Sequence, residues 1–147
     1  MKYEHILVPV DGSDISLAAL KQAASIAKAF DSKITAISLL AVDPFSGVDF
    51  YYVSPVMKDY FVEAHAQAEE TLAKAETIGT ELGIEIETQI IKGEVSSEGI
   101  LQAAEDLKVD LIVMGSHGRK GFQKFLLGSF AQDVLKSTEL PVLIVKA

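Results

Sequence analysis

Gly115-Ser116-His117-Gly118-Arg119-Lys120-Gly121, with Leu127-Gly128-Ser129 shortly after, is the stretch whose residue types could do chemistry. Glycines at 115, 118, 121 and 128 punctuate it, and glycine lets a backbone approach a ligand closely. The apolar run Leu111-Ile112-Val113-Met114 before it reads as a buried strand. Phe130-Ala131-Gln132-Asp133-Val134-Leu135-Lys136 after it reads as a helix. A strand, a glycine-bearing loop and a helix start are the parts of a phosphate cradle. The first N–H groups of a helix have no partner within it and sit at the positive end of its dipole. Arg119, the only arginine, stands in the loop beside Lys120 and Lys124, although the whole chain carries a formal net charge of −8. The loop lacks the Gly-Lys-Ser ending of a P-loop. Gly115-x-x-Gly118 is not the G-x-G-x-x-G dinucleotide fingerprint, so neither of those phosphate sites is indicated.

The rest of the chain must position this loop, and it reads as an alternating series. Ile6-Leu7-Val8-Pro9-Val10 is a first strand whose continuous hydrophobicity suggests cover on both faces. Asp11-Gly12-Ser13-Asp14 is a turn with helix-capping residues, followed by a helix to about Phe30. A second strand runs from Ile34 to Val42. Residues 43–55 form a loop with two prolines, a glycine and the aromatics Phe45, Phe50, Tyr51 and Tyr52, read as a partner contact or a lid. A long helix from about Val56 to Leu82 carries the apolar stripe Phe61, Ala64, Ala68, Leu72, Ala75, Ile78 and Leu82, with Gly83 as its stop. Ile84 to Ile91 alternates as a third strand, an edge candidate, broken by Gly93. Ser96 or Ser97 caps a third helix with Ile100, Leu101, Ala104 and Leu107 on its inner face. After the fourth strand, the loop and the fourth helix comes a Pro141 break and a last strand, Val142-Leu143-Ile144-Val145.

Five strands alternating with four helices imply a single-domain, open, doubly wound parallel sheet with helices on both faces, Rossmann-like, over residues 1–147. Ligands of such sheets bind at the carboxyl ends of the strands, where the strand order reverses. The Asp11 turn and the Gly115 loop would both lie at that edge. They would face one ligand although over a hundred residues separate them.

Composition narrows the function classes. Hydrophobic residues at 49% and charged ones at 23% fit a globular chain rather than a disordered one. The acidic balance counts against nucleic-acid and anionic-membrane binding while leaving room for one small positive pocket. With no cysteines there are no disulfides, thiolate metal sites or cysteine nucleophiles. The N-terminus lacks a signal-peptide core, and no apolar segment approaches the roughly 20 residues that cross a bilayer. A cytoplasmic location is expected.

Gly115-x-x-Gly118, nine residues and then Gly128-Ser129 resembles the nucleotide-binding motif of the universal stress protein family. The resemblance covers the whole chain, including Ile6-Leu7-Val8-Pro9-Val10-Asp11-Gly12-Ser13, Asp110-Leu111-Ile112-Val113-Met114-Gly115 and Pro141-Val142-Leu143-Ile144-Val145. It implies an adenine nucleotide alpha hydrolase-like fold, ATP as ligand with Mg²⁺ or Mn²⁺ as companion, and a homodimer through Val142–Val145. It places Pro9 and Val10 at the pocket floor, Asp11 near the nucleotide, and Ala41 beside the adenine. Met114, Gly115, His117, Gly118, Arg119, Gly128, Ser129 and Phe130 complete the expected site. Leu40 stands where many relatives have a histidine.

Each of these residues also has an ordinary role. Asp11 caps a turn with Ser13, or reaches ribose hydroxyls, the adenine amine or a metal. Ser129 forms a capping box with Gln132, and its hydroxyl also suits the terminal phosphates. His117 donates from its imidazole or contributes only its backbone, the latter preferred. Arg119, Lys120 and Lys124 are solvated charges or offset triphosphate charge, Arg119 best by its planar fork. His5 and His65 have no obvious partners.

The chain is therefore expected to be a stress-response regulatory protein acting as a nucleotide-dependent dimeric switch with a further protein partner. Neither Ser116 nor Ser129 has an assigned base, so at most slow ATP hydrolysis is expected. The alternative is a slow ATPase or small nucleotidyl-transfer enzyme on the same fold. A phosphorylated receiver module fits poorly, because the third strand ends Ile91-Lys92-Gly93 rather than in an acceptor aspartate.

Overall fold

A computed structural model describes residues 2–41, 55–93, 95–117 and 127–146. Among them the elements alternate as β1 (His5–Pro9), α1 (Asp14–Phe30), β2 (Lys33–Ala41), α2 (Pro55–Leu82), β3 (Ile86–Gly93), α3 (Ser97–Leu107), β4 (Leu111–Gly115), α4 (Ser129–Ser137) and β5 (Val142–Val145). The strands pair in parallel in the order β3-β2-β1-β4-β5. As expected, β3 is an edge strand.

The unbroken hydrophobicity of the inner strands follows from cover on both faces. Successive side chains of a strand point to opposite sides. Ile6, Val8 and Val10 enter one core with Ala19, Leu20 and Ala23 of α1 and Leu72 and Ala75 of α2. Leu7, Ile112 and Met114 enter the other with Ile100 and Ala104 of α3 and Ala131 and Val134 of α4. Each large buried side chain contributes about 1.5–3 kcal/mol, so a sheet with two such cores is rigid at its centre.

Several local expectations change. Ile84 is still part of the exit from α2, its N–H donating to Gly79 O at 2.8 Å, so β3 begins at Ile86. Gly93 closes β3 at φ 148° instead of lying beyond it. Ser96 is the N-cap of α3 but makes no side-chain cap bond. Its buried Oγ has no partner among the described residues. The stripe expected along α2 is buried at Ala68, Leu72 and Ala75 and half-buried at Phe61, Ala64, Ile78 and Leu82, while Tyr60 and Val62 off the stripe are 63% and 69% exposed. The 28 residues of α2 make a rod of about 42 Å at 1.5 Å per residue. The 9 residues of β2 span about 30 Å. With its end tied to the start of β3, α2 overshoots the carboxyl edge of the sheet. The aromatic loop before it lies outside the described residues.

Candidate functional site

The strand order places two distant segments together. From β1 the chain builds outward through β2 to β3, then returns to the other side of β1 to add β4 and β5. The order therefore reverses between β1 and β4, and the crossovers diverge there to leave a crevice at the carboxyl edge. Ile6 pairs with Leu111 and Leu7 with Ile112. Carried on two residues, that register sets Pro9 opposite Met114, so the Asp11 turn and the Gly115 loop leave the sheet side by side.

The β1 exit is a closed hydrogen-bonded turn. Val10 N–H donates to Ile37 O at 2.8 Å, keeping β1 against β2 up to the edge. Gly12 takes φ 82°, a left-handed conformation that favours glycine. Asp11 Oδ1 accepts from Ser13 N–H at 2.9 Å and also from the Ser13 hydroxyl. Ser13 Oγ in turn accepts from Ser16 N–H at 3.3 Å and caps α1. The ordinary role weighed for Asp11 is thus realised: it orients the cap of the helix that leaves the edge.

The β4 exit is tied to its neighbours in a different way. Ser116 N–H donates to Val145 O at 2.9 Å, and Gly128 N–H donates to Ser116 O at 2.7 Å. The second bond brings the start of α4 back onto the end of β4, across the residues between them. A Cβ on Gly128 would lie 3.3 Å from both Ser116 O and His117 Cα, so a larger residue would push α4 away. A Cβ on Gly115 would lie 3.1 Å from Ile15 Cγ1, so close packing of α1 also requires a glycine there.

The capping box expected at Ser129 does not form. Gly128 is the N-cap, extended at φ −64° and ψ 158°, because its bond to Ser116 brings the chain into the helix one residue early. Ser129 becomes the first helical residue, with its side chain exposed. Gln132 Nε2 donates instead to Leu127 O at 2.7 Å. As a glycine, this N-cap supplies no side-chain bond to α4. The two helices at this edge therefore differ: α1 is capped by the side chain of Ser13, while the N-cap of α4 is a glycine that offers its first turn no side-chain acceptor. A helix start of that kind favours an anion.

The expected site residues divide accordingly. Pro9, Val10, Asp11, Met114, Gly115, His117, Gly128, Ser129 and Phe130 gather at or directly beside the reversal. The side chains of Val10 and Met114 are buried in the two cores, leaving only their backbones to face the edge. Phe130 packs against the core beneath α3 and α4. Ala41 is exposed at the end of β2, four residues past Ile37, the partner of Pro9. That places it about 13 Å further along, as a wall beyond the edge rather than part of its floor. Gly118, Arg119, Lys120, Gly121 and Lys124, with Val42 and Asp43, lie outside the described residues.

Two features escaped the sequence reading. Ser116 Oγ lies 3.1 Å from His117 Nδ1, so this serine does have an imidazole beside it. It is not a poised nucleophile, because Ser116 is only 2% exposed. His5 and His65 also have partners. His5 Nδ1 meets Leu107 O at 3.1 Å and its Nε2 meets Thr35 Oγ1 at 2.8 Å, while His65 pairs with Glu69 at 3.0 Å. A serine followed by a histidine at a strand exit was the only sequence signal for the first pair. The partners of His5 stand 102 and 30 residues away, beyond the reach of local pattern.

A parallel five-stranded sheet whose order reverses between β1 and β4, with helices on both faces, defines an open, Rossmann-like α/β domain. The sequence profile described as the universal stress protein family matches residues 2–146. A universal stress protein of Methanocaldococcus jannaschii is 39% identical over 148 residues, covering 98% of this chain and 82% of its own. The chain belongs to the universal stress protein family. The solved structure of universal stress protein UspA from Lactobacillus plantarum is similar in fold, with a TM-score of 0.81, 24% identity, and 99% of each chain covered. A universal stress protein solved in complex with cAMP has a TM-score of 0.72 and 26% identity, covering 99% of this chain and 98% of its own.

Proposed function

We propose that this protein binds ATP at the carboxyl edge between β1 and β4 and uses nucleotide occupancy as a regulatory signal in the cytoplasm. The observation that carries the reading is the 2.7 Å bond from Gly128 N–H to Ser116 O. It sets the glycine-capped start of α4 over the glycine-bearing exit of β4, beside the Asp11 turn. The family relative that holds cAMP supports an adenine nucleotide as the ligand class. In this reading the phosphates meet the N–H groups at Ser129 and Phe130 and the Ser129 hydroxyl. Pro9 and Val10 offer backbone to the floor, and Asp11 is the carboxylate available to ribose or adenine. Gly118 and Arg119 belong to the same expected loop.

Among the described residues no group of three His, Asp or Glu side chains is placed to hold a metal. The reading therefore assigns Mg²⁺ or Mn²⁺ to the nucleotide phosphates rather than to a protein cage, in keeping with the preference of Mg²⁺ for phosphate and water oxygens. Holding a triphosphate does not by itself activate water, and Ser116 is too buried to attack, so hydrolysis is expected to be slow.

We propose further that two copies pair through β5. It is an edge strand of four apolar residues, and Leu143 is 38% exposed. Unpaired strand edges of this kind are templates for a second chain. A protein partner that reads the nucleotide state completes the proposed switch.

The test is to denature purified protein and identify any released nucleotide by mass spectrometry, then to measure ATP and GTP affinity of the emptied chain by calorimetry. Tighter binding of ATP than of GTP, lost on combining Gly118→Val with Ser129→Ala, is expected. Affinity unchanged by that pair would refute the site.

A further inference from the structure

Ser116 has every polar group engaged. Its N–H and C=O are taken by Val145 O and Gly128 N–H, and its hydroxyl lies 3.1 Å from His117 Nδ1. The residue is 2% exposed, which shields its hydroxyl from solvent. A buried donor left without an acceptor is rarer and more costly than a spare lone pair. Nδ1 of His117 is the ring atom paired with this hydroxyl, and a hydroxyl can donate to a bare imidazole nitrogen or accept from a protonated one. A neutral imidazole that accepts at Nδ1 carries its proton on Nε2.

We propose that Ser116 is a positioning residue that holds neutral His117 as the Nε2–H tautomer, making that N–H a donor for a phosphate oxygen of the bound nucleotide. The inference rests on the ATP reading of this edge and goes beyond it. It gives His117 a side-chain role where the sequence favoured its backbone alone, and gives a purpose to a serine that cannot itself reach a ligand. The three bonds of Ser116 fix the hydroxyl relative to β5 and α4. The donor on His117 is thereby referenced to the same frame as the start of α4. In the opposite tautomer Nε2 would present a lone pair to an anion, which repels it.

The tautomer is readable without nucleotide, by two-bond ¹H–¹⁵N correlation spectra of the wild-type imidazoles. His117 should show a protonated Nε2 and an unprotonated Nδ1. Ser116→Ala should move it toward a mixture of tautomers, and Ser116→Thr, which keeps the hydroxyl, should restore it. By calorimetry, Ser116→Ala and His117→Ala should each weaken ATP roughly tenfold, about the worth of one hydrogen bond to a charged group. Adenosine, which lacks phosphate, should lose much less affinity than ATP in each variant. The double variant should be no weaker than His117→Ala, because the two residues act as one unit.

A wild-type His117 protonated at Nδ1 would overturn the relay while leaving ATP binding intact. Equal loss from Ser116→Ala with and without His117 would overturn it too, showing that Ser116 acts only through the backbone. Absence of ATP binding by the emptied wild-type chain would instead remove the nucleotide reading, and with it the phosphate half of the proposal. Should Ser116→Ala fail to fold, the wild-type spectrum and Ser116→Thr still decide the matter.

Discussion

The two ends of the sheet are built in opposite ways. At the amino edge polar groups are tied to one another by long-range bonds. Asp110 accepts from the N–H groups of both Glu4 and His5, at 2.9 and 3.0 Å. Lys33 N–H donates to Glu4 O, and Asp110 N–H to His5 O. The His5 ring bridges Leu107 O and Thr35 Oγ1. Because a carbonyl can only accept, Nδ1 of His5 carries a proton, and a neutral ring then accepts from Thr35 at Nε2. At the carboxyl edge β1 ends in proline and β3 and β4 end in glycine, and the N-cap of α4 is a glycine with no side chain to offer. Among the described residues, the side-chain bonds that join distant segments lie mostly at the amino edge. The difference teaches that one set of strands can carry a scaffold closed by side-chain bonds at one edge and glycine-bearing exits at the other.

This contrast predicts that amino-edge substitutions change stability without changing nucleotide affinity. The largest effect is expected at Gly79, near the start of β3. A Cβ there would lie 2.7 Å from Ile84 O and from Ile86 Cδ1, and the backbone oxygen cannot rotate away. Gly79→Ala should cost about 3 kcal/mol and lower the melting temperature by on the order of 10 °C. The ATP affinity of the folded fraction should stay unchanged in calorimetry. Asp110→Ala comes next. It leaves two backbone donors without their charged acceptor and should cost about 2 kcal/mol in denaturant unfolding, again with unchanged affinity. A parallel loss of affinity in either variant would show that the two edges are coupled.

Much of this arrangement was legible in the sequence. The apolar runs and periodic stretches gave the alternation, and alternation gave a parallel sheet whose reversal had to bring the Asp11 turn and the Gly115 loop together. What was not legible depended on distance or on a single residue of register. Gly128 displaces Ser129 as the cap of α4 because of one bond to Ser116, and no propensity encodes that bond. The close approach of Ile84 O to Gly79 has no local signal, because it depends on how the chain leaves α2. The stripe of α2 was real, but its first turns outrun the sheet that would have buried them. His5 looked isolated because its partners come from other elements.

Ser13 offers a smaller and more pointed comparison. Ser13→Ala removes the cap of α1 and should cost about 1 kcal/mol. It also removes the hydroxyl bond that Ser13 makes to Asp11 while keeping the backbone one, so unlike the amino-edge variants it should weaken ATP as well as stability. Unchanged affinity would mean that Asp11 serves the turn alone. The smallest effect belongs to Lys33→Ala. Its ion pair with Glu87 at 3.2 Å is about half exposed at both side chains, so the loss should stay under about 0.5 kcal/mol by thermal unfolding.

The central claim is that one edge binds and the other only holds. It is tested most directly by titrating ATP into ¹⁵N-labelled protein and following the backbone amides. The account predicts shifts concentrated at Val10–Ser13, Gly115–His117 and Gly128–Phe130, with His5, Thr35 and Asp110 unmoved. Shifts centred on the amino edge, or no saturable shift at the carboxyl edge, would contradict it.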